Sequence, residues 1–249
     1  MRMRCGIIPA VLLLVLIRPA TEVQAAAEVH RLNLVISGVP TQVRASDFNG
    51  MIEDVNRTKL APIGLAPLPR INLSWMFDAE VRYFARQNLA LSVGVSRLRA
   101  GTSQEYLPSI GASNTLRADI TSIPIHAGAA YYFTPYNQGD FQARAYLGAG
   151  FMNVVYNRAS LGWNGTGIPV GQAFRWTGTN DGPGYYGELG GHLFFASKLS
   201  VMLSGLYRST QVRNLVDEAS GAPIVNAQGE AISLDVGGAG FRMGVAIGF

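Results

Sequence analysis

Charged side chains occupy alternate positions within otherwise apolar stretches of this 249-residue chain. Between Ile71 and Tyr83, the charged residues Asp78, Glu80 and Arg82 alternate with apolar ones. Successive side chains of a β-strand point to opposite faces, so these three charges share one face of a strand. Carboxylates and a guanidinium group held side by side can form ion pairs, which predicts an enclosed charged site.

The same alternation in later strands predicts one polar set that faces inwards. Its members are Asp78, Glu80, Arg82, Arg144, Glu188, His192, Arg208 and Arg242. Because buried charges have to be paired, the first interpretation is an ionic network that holds an interior together. The alternative interpretation is a narrow, gated path for ions or small solutes, in which salt bridges exchange partners.

Enzymatic chemistry would need a nucleophile beside a base. His126 and His192 fall on predicted inward faces, and His30 lies in the first predicted strand. The sequence has no His-x-Ser-Asn arrangement, and Ser200 and Ser204 also point inwards. A hydrogen-bonded interior histidine is therefore the preferred interpretation. No group of residues has metal-ligand spacing, so we expect no catalytic residue, no metal and no cofactor.

Alternating apolar residues predict the elements that position these side chains. We predict eight strands, at residues 29–39, 71–83, 89–96, 115–133, 141–156, 184–196, 199–212 and 232–249. Short turns at Gln87-Asn88, Thr134–Asp140 and Ser197-Lys198 separate long connections at 40–70, 100–114, 157–181 and 214–231. Short turns at one rim and long loops at the other predict an all-β, antiparallel, up-and-down transmembrane barrel.

In the last predicted strand, the apolar residues change from even to odd positions. Ile232, Leu234 and Val236 are even, whereas the apolar residues after Gly237-Gly238 are odd. We predict a β-bulge at this glycine pair.

Aromatic residues mark the two ends of the predicted outer face. Trp75 and Tyr83 are eight residues apart, which is about 20 Å along the membrane normal for a strand tilted by about 40°. The predicted aromatic girdle comprises Trp75, Tyr83, Phe133, Tyr185, Phe195 and Tyr207.

Composition agrees with a barrel that is exported. Hydrophobic residues make up 48% of the chain and charged residues only 14%, with a net charge of +4. Residues 1–25 carry three Arg and one Glu, so the remainder has a charge of 4 − 3 + 1 = +2. A chain this close to neutral gives no reason to expect a nucleic acid partner.

The first 25 residues resemble a secretory signal, followed by a barrel domain at 26–249. Arg2 and Arg4 precede an apolar core at 6–17, with cleavage expected after Ala25, or alternatively after Ala27. An uncleaved anchor helix is the other interpretation. Cys5 is the single cysteine, so the exported chain would hold no disulfide.

The first long connection contains an amphipathic segment at 46–56. Phe48, Ile52 and Val55 have helical spacing, and Ser46 is a candidate N-cap. The segment either caps the mouth of the barrel or forms a surface for a partner or an apolar solute.

The closing strand resembles the terminal strand of bacterial outer-membrane barrels, which ends in Phe and is read by the barrel assembly machinery. Its apolar face comprises Phe241, Met243, Val245, Ile247 and Phe249. Ile123-Pro124-Ile125, followed by Tyr131-Tyr132-Phe133, adds to the likeness. The chain is therefore similar to the small eight-stranded OmpA, OmpX and OmpW barrels. The resemblance implies a location in the outer membrane of a Gram-negative-type bacterium, with outer-membrane lipid as a partner.

Three functions follow as expectations. The first is a non-enzymatic, porin-like outer-membrane barrel for membrane integrity or for passage of small molecules, including apolar ones. The second is a surface binding or adhesion protein that acts through the long loops. Trp163 and Trp176 in the loop at 157–181 favour it slightly, since exposed aromatic residues can anchor a partner. The third, ranked last, is a lipid-modifying enzyme.

Overall fold

The computed structural model describes residues 30–109, 112–138, 141–165, 175–195, 198–226 and 229–249. The predicted signal at 1–25, both candidate cleavage sites and Cys5 lie outside these residues. Within the described part of the chain, no helix combines the length and the hydropathy that a membrane-crossing helix needs.

Eight long strands form the fold. They are β1 (Leu32–Gln42), β2 (Leu73–Arg86), β3 (Leu89–Ser109), β4 (Ala112–Tyr132), β5 (Phe141–Gly165), β6 (Gly182–Phe195), β7 (Leu199–Val212) and β8 (Gly238–Gly248). Each strand pairs antiparallel with the next along the chain, and β8 pairs with β1. The sheet therefore closes, and the predicted eight-stranded antiparallel barrel is confirmed.

Two predicted long loops are instead continuations of strands. β3 and β4 remain paired up to Ser109 and Ala112, so the loop expected at 100–114 is wrong. β5 continues to Gly165, and a short strand, Arg175–Thr179, pairs with it. The loop expected at 157–181 is therefore wrong for its described parts; residues 166–174 lie outside them. We call this rim the upper end of the barrel, and the rim of short turns the lower end.

Three further short strands extend the sheet. Tyr136–Gln138 pairs with β5, Val216–Asp217 pairs with Arg175–Thr179, and Leu234–Asp235 pairs with β7. The tight turn at Gln87-Asn88 is confirmed. Residues 139–140 and Ser197, which belong to the other two predicted turns, lie outside the described residues.

The outer apolar face changes to an inner apolar face part of the way along β3. Leu91 and Val95 point outwards, whereas Leu98 and Ala100, further up the strand, are buried inside. The pairing with β4 keeps one register from Leu89 to Tyr106, so no bulge causes the change. The lower part therefore has an apolar exterior, and the upper part has an apolar interior, as a barrel in water would have.

The same change explains the closing segment, where the bulge predicted at Gly237-Gly238 is wrong. Leu234 pairs with Val212, and Gly238 pairs with Arg208, in one continuous register. The even-numbered Leu234 is buried inside the barrel.

A β-bulge occurs instead in β5. Ile123 of β4 pairs with Tyr156, but the next residue, Pro124, pairs with Val154. Val155 is therefore the extra residue of the bulged strand. Pro124 has no N–H group for the ladder, which makes it compatible with such an irregularity. Beyond the bulge, odd-numbered residues of β5 point inwards, including Trp163.

The predicted helix is confirmed as α1 (Ser46–Val55), followed by a π-helical turn, Asn56–Leu60, and a 3-10 turn, Ala61–Ile63. The prediction that Ser46 caps it is wrong: Ala45 is the N-cap, with φ of 40°, and no side chain caps the helix. The Asn49 amide bonds both backbone groups of Ile71, which fixes the approach to β2.

Buried apolar side chains fill the upper interior of the barrel. This upper cluster comprises Val39, Val43, Ala45, Phe48, Ile52, Leu60, Leu68, Ile71, Met76, Leu98, Ala100, Tyr106, Leu116, Ala118, Ile120, Val154, Ala159, Leu161, Trp163, Leu206, Val212, Leu215, Ile224, Ile232, Leu234 and Val236. Phe48 and Ile52 of α1 belong to it, and Val55 packs against it. The helix therefore contributes to the cap over the mouth, in agreement with the first interpretation of this segment.

Candidate functional site: the charged interior

All eight side chains of the predicted polar set are buried. They extend from β2, β5, β6, β7 and β8 into the interior, below the upper cluster. The alternation of each strand directs them there, and barrel closure brings opposite walls within contact distance. The set divides into an ionic network of five members, two arginines outside it, and His192, which hydrogen-bonds to Tyr132 and Ser200.

Arg242 is the centre of the ionic network. Its guanidinium lies 3.2 Å from Asp78, 3.6 Å from Glu80 and 3.0 Å from Glu188. These carboxylates come from β2 and β6, so one side chain of β8 joins three strands. A guanidinium offers five donors, which suits it to several carboxylates at once.

Arg82 is the second cation of the network. It lies 2.7 Å from Glu80 and donates a 2.7 Å hydrogen bond to the Tyr132 hydroxyl. Glu188 also accepts hydrogen bonds from Ser204, at 2.7 Å, and from Tyr146. The two arginines and three carboxylates thus form one connected cluster, in which a few single atoms, such as Glu80 Oε2 and Arg242 Nε, have no hydrogen-bond partner among the described residues.

His126 belongs to this cluster although it was not part of the predicted set. Its Nε2 lies 2.8 Å from Asp78 Oδ1, and the same oxygen accepts a 2.5 Å hydrogen bond from Ser96. The inward-facing position of His126 was visible in the alternation. The missing information was the register, which places β3 between β2 and β4 and leaves Gly94 beside His126.

Asp78, Glu80 and His126 also form a group with metal-ligand spacing. One ligand atom from each lies within 4.8 Å of the others. Sequence spacing gave no sign of this group because His126 is 48 residues from Asp78. Arg242 already faces both carboxylates, so its positive charge takes the place that a metal ion would need.

Arg144 and Arg208 have no carboxylate within 4.0 Å among the described residues. Arg208 lies 2.7 Å from the Thr41 hydroxyl and 2.7 Å from the Met76 sulfur. The Arg144 guanidinium lies 5.3 Å from the centre of the Tyr132 ring. The structure therefore does not bring these two predicted members into the network.

The histidines are not arranged for hydrolytic chemistry. His192 Nε2 lies 2.8 Å from Ser200 Oγ and its Nδ1 lies 3.2 Å from the Tyr132 hydroxyl. The His192 side chain has no exposed surface, and His126 is also buried. His30 precedes β1 and bonds Asn33 through its backbone carbonyl. No described histidine combines a nucleophile with access for a substrate.

The outer surface of the lower barrel is an apolar belt. The six aromatic residues of the predicted girdle are between 38% and 58% exposed. Trp75, Tyr185 and Tyr207 lie towards the upper end, and Tyr83, Phe133 and Phe195 lie towards the lower end. The exposed large apolar side chains of β8 are Phe241, Met243, Val245 and Ile247, and the exposed Phe249 directly follows the strand.

The two tryptophans of the expected binding loop are not exposed anchors. Trp163 is buried in the upper cluster, and Trp176 is partly buried against it. Trp176 forms an edge contact with Phe48 of α1 at a centroid distance of 5.5 Å. The expectation that these residues anchor a partner is wrong for Trp163, since the bulge in β5 turns it inwards.

Comparisons with known proteins find likeness in structure only. A scan against protein-family models gives no match, and neither does a search of curated proteins. The crystal structure of Neisserial surface protein A is 15% identical, with 88% of this chain and 97% of that one covered, at a TM-score of 0.42. The outer-membrane protease OmpT from Escherichia coli is 11% identical, with 88% and 96% covered, at 0.41. The attachment invasion locus protein Ail of Yersinia pestis is 12% identical, with 88% and 99% covered, at 0.36. At these TM-scores the likeness carries no argument about function, and the fold rests on the strand pairing described above.

Proposed function

We propose that the chain is a non-enzymatic outer-membrane barrel that spans the bilayer with its interior closed and serves membrane integrity. The observation that carries this proposal is the change from an apolar exterior to an apolar interior along continuous strands. In water, apolar side chains move inside, whereas in hydrocarbon they face outwards. The level of the change on β3, between Val95 and Leu98, is where we place the upper surface of the membrane.

The belt below this level supports the location. Phe77, Phe151 and Leu189 are each more than 60% exposed on three different strands. A soluble protein rarely exposes a continuous apolar surface of this kind. Outer-membrane lipid is therefore the partner of this surface, and β8 offers its apolar face to the barrel assembly machinery.

The interior supports a closed barrel rather than passage of solutes. The ionic network around Arg242 spans the middle, and the upper cluster lies above it, with members from opposite walls such as Leu98 and Leu206. An eight-stranded barrel is only wide enough for its side chains to fill the interior. The interpretation as a network therefore fits these contacts better than a gated path.

A bilayer conductance measurement tests the proposal. The chain from residue 26 is refolded, its folding is checked by heat-modifiable gel mobility, and it is added to a planar bilayer. We expect insertion without discrete conductance steps. Steps that change when Arg82, Arg144 or Glu188 is substituted would contradict the closed interior. Failure of the folded barrel to insert would contradict the membrane location.

Surface binding is the second candidate function. The paired upper parts of β3, β4 and β5 extend beyond the belt and present a polar outer face. This face has a concave region, whose charges suggest a specific ligand chemistry.

A further inference from the structure

We propose that an arginine-lined concave surface at the upper edge of the belt binds the phosphate groups of a membrane lipid headgroup. The surface is formed by Arg99 of β3, Arg117 of β4, Arg158 of β5 and Arg175 of the short strand beside it. We call it the arginine surface. The inference rests on the membrane location proposed above, and it assigns a ligand to one region of the barrel.

Strand register brings the four arginines onto one face. Arg99 lies opposite Thr121, which lies opposite Arg158. Arg117 lies four residues from Thr121 on β4, towards the upper end. It is opposite Gly162, which lies opposite Arg175. All four side chains point outwards and are exposed.

Small side chains between the arginines make the surface concave. The concave region has a volume of about 800 Å³, and its lining includes Gly101, Thr121, Ser160 and Thr177. Long guanidinium side chains at the edges can therefore converge on one group that sits above these short ones. Phosphate is a ligand that arginine binds through two parallel N–H donors.

The charge of the arginine surface is positive. Asp119 lies inside it and pairs with Arg117 at 2.5 Å, and Glu218 pairs with Arg158 at 3.2 Å. Arg99 has no ion pair among the described residues, and Arg175 donates to the Asn164 side-chain oxygen. Among the described residues, the guanidinium groups of Arg99 and Arg175 thus have no carboxylate partner, and the ligand that complements them is an anion.

Position relative to the belt identifies the source of the anion. Arg99 lies directly opposite Trp75, an aromatic girdle residue that is 55% exposed. Along β4, the exposed Ile125 of the belt is followed on the same face by Thr121, Asp119 and Arg117. Girdle aromatics sit at the level of lipid headgroups, so the arginine surface faces the headgroup layer, where lipid phosphates are concentrated.

A lipid-retention experiment tests this inference. The chain from residue 26 is folded in detergent micelles, incubated with a bisphosphorylated diglucosamine lipid or its dephosphorylated form, and analysed by native mass spectrometry. We expect the phosphorylated lipid to be retained preferentially. The variant R99Q/R117Q/R158Q/R175Q should lose about twenty-five-fold in affinity, because each of the two arginines without a carboxylate contributes roughly a factor of five near an anionic surface.

The double variant R57Q/R70Q is the matched control. Arg57 and Arg70 are exposed arginines in the connection between β1 and β2, and each pairs with a carboxylate away from the arginine surface. This control should retain the lipid as the unsubstituted chain does. Heat-modifiable gel mobility shows whether each variant is folded.

Three outcomes would overturn the inference. The first is equal retention of the phosphorylated and dephosphorylated lipids, and the second is unchanged retention by the folded quadruple variant. The third is complete displacement of the lipid by excess inorganic phosphate, which would identify a free-anion site. A barrel that inserts into bilayers but shows any of these results contradicts only the lipid site. A folded barrel that does not insert contradicts the membrane location itself.

Discussion

Arg242 Nη1 lies 3.0 Å from Glu188 Oε2, across the interior of the barrel and 54 positions apart in the chain. Glu188 also accepts hydrogen bonds from Ser204 and Tyr146. Replacing Glu188 by Gln would leave Arg242 and its neighbours with one counter-charge fewer in a buried site. We expect Glu188→Gln to lower the free energy of unfolding by about 3–5 kcal/mol, the usual cost of breaking a buried ion pair.

Urea unfolding in lipid vesicles, followed by tryptophan fluorescence, measures this cost. Glu218→Gln is the control, because Glu218 pairs with Arg158 at 3.2 Å where both side chains are half exposed. Exposed pairs contribute about 0–1 kcal/mol. Equal effects of the two substitutions would show that the interior network does not stabilise the barrel.

Arg208 should behave in the opposite way to Arg242 when each is replaced by Met. Arg208 is buried with Thr41 and Met76 as neighbours and has no carboxylate within 4.0 Å among the described residues. Removing a buried charge without a partner also removes its desolvation penalty. We expect Arg208→Met to be neutral or stabilising, whereas Arg242→Met should cost about 3–5 kcal/mol. The same urea titration compares the two, and a larger loss for Arg208→Met would contradict this assignment.

The strands of the belt could be predicted from the sequence because their two faces meet different surroundings. Phe77, Ala79 and Val81 face outwards while Asp78 and Glu80 face the interior, and this contrast is written directly into the order of residues. The closed eight-stranded fold and the inward-facing charges follow from it.

The upper part of the barrel could not be predicted in the same way. The sequence predicts a loop where the apolar face changes on β3, and a bulge where it changes again between Leu234 and Phe241, whereas both strands keep their register there. The physical cause of each change of apolar face is that one continuous strand passes from apolar to aqueous surroundings. The true bulge at Val155 depends on pairing with Pro124, and the proximity of His126 to Asp78 depends on barrel closure. Both are set by contacts between distant residues.

Gly150 should tolerate no side chain. It lies opposite Gly128 on the inner face, and a Cβ atom at Gly150 would clash first with the backbone carbonyl oxygen of Ala127 and would approach a ring carbon of Tyr186 to 2.6 Å. Overpacking of an interior costs about 1–3 kcal/mol, so we expect Gly150→Ala to lower the midpoint of heat-induced unfolding. Gel mobility after heating measures this midpoint.

Gly187→Ala on β6 is the control for Gly150→Ala. No atom of the described part of the chain lies within 4 Å of a Cβ atom at Gly187. Its substitution should leave the midpoint unchanged or raise it slightly, since glycine within a strand is unfavourable by roughly 0.5–1 kcal/mol. A similar loss for both variants would show that close packing around Gly150 is not the cause.

Asp217, in the connection between β7 and β8, should titrate below the ordinary range of an aspartate. The Ser220 hydroxyl, 2.7 Å from its carboxylate, and the Ser220 backbone N–H, at 2.9 Å, lower its pKa. A lowered folded-state pKa contributes stability above the unfolded pKa, and this contribution is lost as the pH falls through the folded one. Ser220→Ala should therefore raise the pKa of Asp217 in a carbon-13 titration. Thr58→Ala, which removes a hydroxyl bonded to a backbone carbonyl, should not. An unchanged pKa in Ser220→Ala would contradict the assignment.

Phe48 should hold α1 on the mouth of the barrel. Its side chain has no exposed surface and packs on Trp176. Truncation of a buried Phe costs about 3–5 kcal/mol, but α1 lies outside the strand ladders, so we expect local release of the cap rather than unfolding of the barrel. Phe48→Ala should increase proteolysis of the connection at 56–70 and shift tryptophan fluorescence to longer wavelength. Ser46→Ala should do neither, because no side chain caps α1. Release of the cap by Ser46→Ala, or protection retained in Phe48→Ala, would show that the apolar contact of Phe48 is not what seats the helix.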